Sequence, residues 1–236
     1  MTDKPSAKSA PIQGAGDPAR KAAPSPHQII DAKFVAGAGI EGGALPPATF
    51  VEVAFAGRSN TGKSSLINTL VERRSLVRTS STPGCTRQVN LFEVTARDGL
   101  KLHLADLPGY GFAKRSKQER ADWARLIEGY LRERATLRAV VILFDVRRGM
   151  EGDDEELVTF ARAPRPGLGA LEVVLVATKI DKLSRSERRA RVAELDRKTG
   201  ARVLGFSAVT GDGRDDLWRA IRRAAGVSAA LGEARA

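Results

Sequence analysis

The chain has 236 residues, of which 42% are hydrophobic, enough for one substantial core but not comfortably for two domains. Its net charge of +11 and pI near 10.3 favour an anionic partner, of which RNA is a natural example. The single cysteine, Cys85, excludes an internal disulfide and a cysteine zinc cluster, and the lack of any run of about 18 apolar residues predicts a soluble, cytoplasmic protein with no membrane partner.

Both ends of the chain are predicted to be flexible. Residues 1–26 are rich in Ala, Pro, Lys, Ser and Gly and have almost no large apolar side chains, so burial cannot offset the entropy of ordering them. We therefore predict a disordered leader over 1–28, a single folded domain over 29–226 and a flexible tail over 227–236.

Strand and helix patterns alternate through the predicted domain. Strands are predicted near 51–56, 89–95, 101–105, 139–144, 172–177 and 202–206, and helices near 117–134, 153–162, 185–199 and 214–224. This alternation predicts an α/β fold with a doubly wound, mostly parallel sheet. Right-handed crossovers would bring the loops after the strands to one edge of the sheet, where ligands bind in such folds.

The first strand is followed directly by a glycine-rich loop and then by a helical pattern. This predicted phosphate-binding loop, GRSNTGKS, consists of Gly57, Arg58, Ser59, Asn60, Thr61, Gly62, Lys63 and Ser64. The glycines allow a tight turn close to phosphates, and the following helix directs its positive end at them. Lys63 would neutralise the β- and γ-phosphates, and the Ser64 hydroxyl would ligate Mg²⁺. The loop alone does not distinguish ATP from GTP.

The base is predicted from two later segments. The motif TKID, formed by Thr178, Lys179, Ile180 and Asp181, follows an apolar run at 173–177. The Asp181 carboxylate can accept hydrogen bonds from guanine N1–H and the N2 amino group together, a pair that adenine lacks. Phe206, Ser207 and Ala208 follow the strand near 202–206 and would bring a backbone N–H to guanine O6. The order of these motifs predicts a GTP site.

Two segments between these motifs are predicted to sense the γ-phosphate. One consists of Asp106, Leu107, Pro108 and Gly109, whose carboxylate would reach the water shell of the magnesium and whose Gly109 N–H would touch the phosphate. The other is the run 82–87, in which the Thr86 hydroxyl would become a second magnesium ligand only while a γ-phosphate is present. The predicted nucleotide-binding set also includes Gly84, Cys85, Arg87 and Gln88.

The segments GRSNTGKSSLIN, TPGCT, DLPGYGFAK, TKID and FSA, in this order and spacing, closely resemble the EngB-type bacterial GTPases, also called YihA or YsxC. These belong to the TrmE-Era-EngA-EngB-septin-like superfamily of P-loop GTPases. The resemblance covers about residues 29–225. It implies GTP and Mg²⁺ binding, with Ser64 and Thr86 as magnesium ligands, and slow hydrolysis. It further implies a role in late assembly of the large ribosomal subunit, with a link to cell division and septation.

The catalytic residues are predicted to be Lys63, Thr86 and Asn60. Tyr110 stands where many GTPases have a glutamine that orients water, so we expect slow hydrolysis without an activator. In similar GTPases, the residue matching Asn60 ligates a K⁺ ion beside the phosphates. We carry this over as a hypothesis, the alternative being that Asn60 only makes hydrogen bonds within its loop.

Two other functions stay open at this stage: a P-loop nucleotide kinase, which TKID and Ser207 disfavour, and a non-hydrolysing scaffold in cell division. The expected partners are GTP and GDP, a large-subunit precursor and its rRNA, with the chain itself a monomer. Basic clusters that would face RNA are at 185–191, at Arg132, Arg134 and Arg138, and at Arg219, Arg222 and Arg223. Each cluster would equally suit a solvated helix face.

Overall fold

The computed structural model describes residues 27–39, 42–73, 75–77, 88–111 and 117–227. The predictions made for the leader at 1–26, for the tail at 228–236 and for the switch segment at 82–87 therefore lie outside the described residues.

Strands and helices alternate along the described residues. In chain order they are β1 (Ile29–Gly39), β2 (Glu52–Gly57), α1 (Lys63–Leu70), β3 (Gln88–Ala96), β4 (Lys101–Asp106), α2 (Lys117–Glu133), β5 (Leu137–Asp145), α3 (Gly152–Arg162), β6 (Glu172–Thr178), α4 (Arg185–Thr199), β7 (Val203–Phe206) and α5 (Arg214–Ala224). The predicted strands and helices are confirmed, with boundaries that differ by at most two residues.

The strands formed by the described residues make one seven-stranded sheet in the order β1-β3-β4-β2-β5-β6-β7. β2 pairs in parallel with β4 and β5, and β6 pairs in parallel with β5 and β7. Only the β1–β3 and β3–β4 pairs are antiparallel. The predicted α/β fold with a doubly wound, mostly parallel sheet is therefore confirmed.

Strand β1 is missing from the sequence prediction, which began its strands near residue 51. Its burial does not follow a clean alternation, and Ile30 and Phe34 are 53% and 56% exposed. Two register shifts interrupt its pairing with β3, so its side chains do not keep one face towards the core. Main-chain hydrogen bonds to β3 hold this edge strand, and they leave no hydrophobic pattern in the sequence.

The helices cover both faces of the sheet. α1 and α5 pack on one face through residues such as Leu66, Ile67 and Trp218, all of which are buried. α2 and α3 pack on the other face, where Ile127 and Leu157 join the second core cluster. Each such side chain contributes about 1.5–3 kcal/mol by leaving water. The two layers fix the strands, and so fix the loops that leave their carboxyl ends.

Local sequence signals explain where α4 begins. The backbone N–H of Glu187 donates to the Ser184 hydroxyl, and the Ser184 backbone N–H donates to the Glu187 carboxylate at 2.8 Å. This is a capping box, in which a serine is followed three residues later by a glutamate. None of the helices formed by the described residues has the length and apolar character needed to cross a bilayer.

Candidate nucleotide-binding site

The glycine-rich loop joins β2 to α1 in the predicted manner. A Cβ on Gly57 would lie 2.8 Å from the Leu143 carbonyl oxygen on neighbouring β5, so the strand pairing admits only glycine there. Asn60 and Gly62 adopt left-handed backbone conformations, with φ values of 65° and 92°. These turn the chain sharply into α1, whose first N–H groups form an anion site at the helix start.

The loop is anchored at its centre to the guanine motif. The Thr61 hydroxyl donates to the Arg58 carbonyl at 2.8 Å, which closes the turn. The Thr178 hydroxyl donates to the Thr61 carbonyl at 2.6 Å. The Phe144 carbonyl oxygen also lies 3.1 Å from the hydroxyl oxygen of Thr178. Thr178 is buried and joins two motifs that are more than a hundred residues apart in the chain.

Lys63 and Asp106 form a buried ion pair between the phosphate loop and the end of β4. One carboxylate oxygen of Asp106, Oδ2, has no hydrogen-bond partner among the described residues, although the side chain is fully buried. The half-buried Ser64 directly follows Lys63 in the chain, and a serine hydroxyl together with an orphaned buried carboxylate oxygen suits a hydrated Mg²⁺. Among the described residues there is no group of three or more His, Cys, Asp or Glu side chains that could hold a metal ion. Phosphate and water oxygens would supply the other ligands of this ion.

The Asp106-Leu107-Pro108-Gly109 segment lies against the phosphate loop. The Leu107 N–H donates to the Phe55 carbonyl at 3.0 Å, and the Ser59 N–H donates to the Tyr110 carbonyl at 3.0 Å. The indole N–H of Trp123 donates to the Pro108 carbonyl at 2.9 Å. These contacts hold Gly109 next to the phosphate loop, although the two are about fifty residues apart in the chain.

Lys179 crosses the phosphate loop from the guanine side. Its ammonium donates to the Asn60 carbonyl at 2.6 Å and lies 3.2 Å from Asp145 Oδ2. Asp145 ends β5 and is buried. Hydrogen bonds from Arg147, and then from Lys179, outweigh burial and hold the pKa of the Asp145 carboxyl well below its usual range. The lysine stem is thus fixed where it would cover one face of a base.

Asp181 is held by the segment that follows β7. The Ser207 hydroxyl donates to Asp181 Oδ1 at 2.7 Å, and Lys182 Nζ lies 3.5 Å from Oδ2. Burial works to raise the pKa of Asp181, but the hydrogen bond from Ser207 and the neighbouring Lys182 leave it below its ordinary value. The carboxylate is therefore ionised at neutral pH, as a double acceptor for guanine must be.

The segment after β7 offers one backbone donor for guanine O6. Phe206 is buried as the last residue of β7, and the Ser207 N–H already donates to the Asp212 carbonyl at 3.0 Å. The next N–H belongs to Ala208, and no described residue accepts a hydrogen bond from it. Ala208 is itself held in place, because its carbonyl accepts from the Thr69 hydroxyl at 3.2 Å.

The remaining predicted residues divide into two groups. Gln88 is the exposed first residue of β3. Because β3 runs antiparallel to β4 and pairs Asn90 with Asp106, Gln88 lies near the carboxyl end of β4, on the side of the sheet where the site is. Outside the described residues lie Gly84, Cys85, Thr86 and Arg87. The second magnesium ligand and its γ-phosphate dependence therefore stay predictions.

Sequence reasoning missed three acidic residues around the site: Asp145, Glu151 and Asp154. Asp145 had a usable signal, because an aspartate at the carboxyl end of a predicted parallel strand faces the ligand edge. Glu151 and Asp154 had a weaker one, since they form a capping box at the start of α3. Their contacts with Arg58 and Tyr110 span more than forty residues and no local pattern indicates them.

A family model described as 50S ribosome-binding GTPase matches residues 52–179. The chain is 47% identical over 173 residues to a probable GTP-binding protein EngB of Desulforapulum autotrophicum, which covers 72% of this chain and 84% of that protein. With the EngB protein of Desulfatibacillum aliphaticivorans it shares 45% identity over 196 residues, 82% of this chain and 91% of the relative.

A solved structure gives the same fold. The crystal structure of a probable GTP-binding protein EngB superposes with a TM-score of 0.57, over 75% of this chain and 100% of that chain. At 24% sequence identity this likeness supports the fold alone.

Proposed function

This chain belongs to the 50S ribosome-binding GTPase family and, within it, to the EngB-type GTP-binding proteins, and from that premise we propose that it is a slow GTPase switch in late assembly of the large ribosomal subunit. Failure of this step would disturb cell division and septation. The chain acts in the cytoplasm as a monomer that binds the precursor particle with GTP and leaves it with GDP.

One observation carries the nucleotide part of the proposal. The Thr178–Thr61 hydrogen bond joins the phosphate loop directly to the TKID motif. Lys63, which pairs with Asp106, lies two residues after Thr61, and Asp181 lies three residues after Thr178. A phosphate-binding group and a guanine-binding group are therefore fixed relative to each other before a ligand arrives, which lowers the entropy cost of binding.

The chemistry follows from these positions. Ser64 and Thr86 would hold a Mg²⁺ ion with Asp106 near its water shell, and the bound ion would neutralise charge on the β- and γ-phosphates. Lys63 stabilises the negative charge that develops between those phosphates, and the Gly109 N–H binds the γ-phosphate. Tyr110 cannot orient water, because its ring is buried with only 5% exposure. We therefore expect slow hydrolysis by the chain alone, with the missing stabilisation coming from the precursor particle or from a K⁺ ion that Asn60 would hold.

The proposed binding of rRNA depends on arginines that do not pair with acidic side chains among the described residues. Several arginines of the predicted basic clusters pair with acids: Arg134 with Glu52, Arg222 with Asp98, Arg188 with Asp212, Arg191 with Glu194 and Arg219 with Asp216. The outer side of α4 differs, since Arg185, Arg189 and Arg197 are exposed and make no ion pair with a described residue. Arginines of this kind suit the phosphate backbone of rRNA.

Co-sedimentation with large-subunit precursors tests this function. The protein is mixed with the particles in GDP or in a non-hydrolysable GTP analogue, and the bound fraction is measured at increasing salt. We expect binding with the analogue only, weakening steeply as salt rises. Equal binding in both nucleotides would contradict the switch. Single-turnover hydrolysis with and without particles distinguishes the switch from a non-hydrolysing scaffold, for which no GDP forms in either case. In a competition assay, strong displacement of GTP by ATP would favour a nucleotide kinase.

A further inference from the structure

The start of α3 is tied to the nucleotide site by two side chains that the mechanism above does not use. Tyr110 reaches it from the residue after Gly109, and Arg58 reaches it from the phosphate loop. The two ties start on different segments and end within one turn of α3, at Glu151 and Asp154.

The first tie is a buried hydrogen bond. The Tyr110 hydroxyl donates to Asp154 Oδ1 at 2.6 Å, and both residues are buried. Burial, and then the neighbouring Asp154 carboxylate, raise the pKa of the Tyr110 hydroxyl well above its ordinary value, so it is a donor at neutral pH. The other oxygen of Asp154 accepts from the Glu151 N–H at 2.9 Å, which is the capping bond of α3. Moving Tyr110 therefore moves the helix cap.

The second tie is an ion pair at the surface. Arg58 Nη1 lies 2.6 Å from Glu151 Oε2 and 3.6 Å from Asp153 Oδ2. The backbone of Arg58 also forms a bridge with Tyr110, so the same residue contacts both segments. Since the acidic partners are more than one third exposed, this pair adds little energy, and it forms a second contact between the phosphate loop and the start of α3.

Trp123 completes the cluster around Tyr110. Its ring centroid lies 5.5 Å from that of Tyr110, and its indole N–H binds the Pro108 carbonyl. The partly buried Trp123 therefore holds the backbone on the N-terminal side of Gly109, and the buried Asp154 holds the Tyr110 side chain on its C-terminal side. A change in the position of Gly109 cannot occur without changing the surroundings of Trp123.

We propose that Tyr110 is a positioning residue, which through Asp154 fixes Gly109 for the γ-phosphate and makes the N-terminus of α3 respond to the bound nucleotide. The inference rests on the proposed contact between Gly109 and the γ-phosphate. Binding of that phosphate and docking of Tyr110 on Asp154 stabilise the same backbone arrangement, so each strengthens the other. The start of α3 is then the element through which a partner distinguishes the two nucleotide states.

The test compares two chemically matched variants, Tyr110→Phe and Tyr130→Phe. The chain has two tyrosines, and the Tyr130 hydroxyl also donates to a buried carboxylate, Glu52 Oε2, at 2.8 Å. Glu52 begins β2, at the end of the sheet away from the phosphate loop. Both variants lose one buried hydroxyl–carboxylate bond, so they share the structural cost, while only Tyr110→Phe affects the tie to α3.

Affinities for GDP and for a non-hydrolysable GTP analogue are measured by calorimetry. In Tyr110→Phe we expect the preference for the analogue over GDP to fall by about 10-fold, the equivalent of one hydrogen bond to a charged group. Tyr130→Phe should keep the wild-type preference. An equal change in both variants, or in neither, would overturn the proposal.

A third variant separates this proposal from the one on which it rests. Gly109→Ala should lower affinity for the analogue but not for GDP if Gly109 contacts the γ-phosphate. An effect of Gly109→Ala without one of Tyr110→Phe would leave the switch intact and refute the coupling. No effect of either variant would refute both.

Trp123 provides a spectroscopic readout that a purely structural role would not move. The other tryptophan, Trp218, is buried and bound to the Leu70 carbonyl on the opposite face of the sheet, so a Trp218→Phe background isolates the signal of Trp123. Should that background fold poorly, acrylamide quenching of the wild type would select the more accessible Trp123. Emission should differ between GDP and the analogue, and the difference should disappear in Tyr110→Phe. Persistence of the full difference would contradict the proposal.

Discussion

Each end of the mostly parallel sheet buries a carboxylate, but the two carboxylates differ in how fully the protein satisfies their hydrogen bonds. At the amino end of β2, Glu52 accepts hydrogen bonds from Tyr130 at 2.8 Å, from Thr136 at 2.8 Å and from Arg134 at 2.6 Å. At the carboxyl end of β4, Asp106 pairs with Lys63 and keeps Oδ2 without a partner among the described residues. The first carboxylate is satisfied entirely by the protein, and the second is not.

This difference separates a group that stabilises the fold from one that is kept for a ligand. Burial would raise the pKa of Glu52, but His103, Arg134, Tyr130 and Thr136 lower it to about 2. Left-handed backbone conformations at Asn60 and Lys179 are found at the opposite end, where they cost stability and aim groups at the site. Substitutions at the two ends should therefore affect different properties.

The largest expected effect is on the ligand end. Asp181→Asn should weaken GTP binding by about 1000-fold, because the amide cannot accept from both guanine donors. Xanthosine triphosphate should gain affinity, since its carbonyl accepts from the new amide. The matched control is Asp212→Asn, which changes an exposed aspartate of the neighbouring loop that pairs with Arg188. Calorimetry with both nucleotides measures the change, and unaltered base preference in Asp181→Asn would show that another group reads the purine.

The second largest effect is expected at the amino end of β2, where Glu52 lies. Glu52→Gln should lower the free energy of unfolding by about 3 kcal/mol, because it removes the charge that Arg134 and its neighbours surround. Its affinity for GDP should stay at the wild-type value at a temperature where both proteins are folded. Denaturant titration and calorimetry give the two quantities. A large loss of GDP affinity in the folded variant would remove the distinction between the two ends.

Lowering the pH should also remove the stability that the Glu52 carboxylate contributes. The pKa of Glu52 falls from 4.5 to about 2 on folding, so its contribution is present above about pH 4.5 and is lost as the pH drops towards 2. Wild-type stability should therefore fall more steeply across this window than that of Glu52→Gln. Urea titrations at several pH values compare the slopes. Parallel slopes would show that the carboxylate is not stabilised by its neighbours.

The smallest effect concerns hydrolysis. Asn60→Ala should abolish a K⁺ stimulation of about 10-fold, well below the effect of an arginine finger. Ser59→Ala, one residue earlier in the same loop, is the control and should keep the stimulation. Turnover is compared in K⁺ and Na⁺ buffers. Equal wild-type turnover in the two buffers would refute the K⁺ hypothesis and leave Asn60 with a structural role.

Much of the fold and of the ligand end was predictable because its signals are local. The phosphate loop, TKID and the Ser184–Glu187 cap each occupy a few consecutive residues with a fixed spacing. β1 was not predictable, since it is an edge strand held by main-chain bonds with an irregular burial pattern. The Tyr110–Asp154 and Tyr130–Glu52 pairs were not predictable either. They join residues 44 and 78 positions apart, and only the packed structure brings them together.

Hydrogen exchange with and without Mg²⁺ and GDP tests most directly whether the two ends differ as described. Amide protection should rise in peptides that cover 57–64, 178–181 and 206–208. It should change little in peptides around Glu52 and over 130–137, where the Glu52 partners lie. Unchanged exchange at the three loops, or an equal gain at both ends of the sheet, would contradict the account.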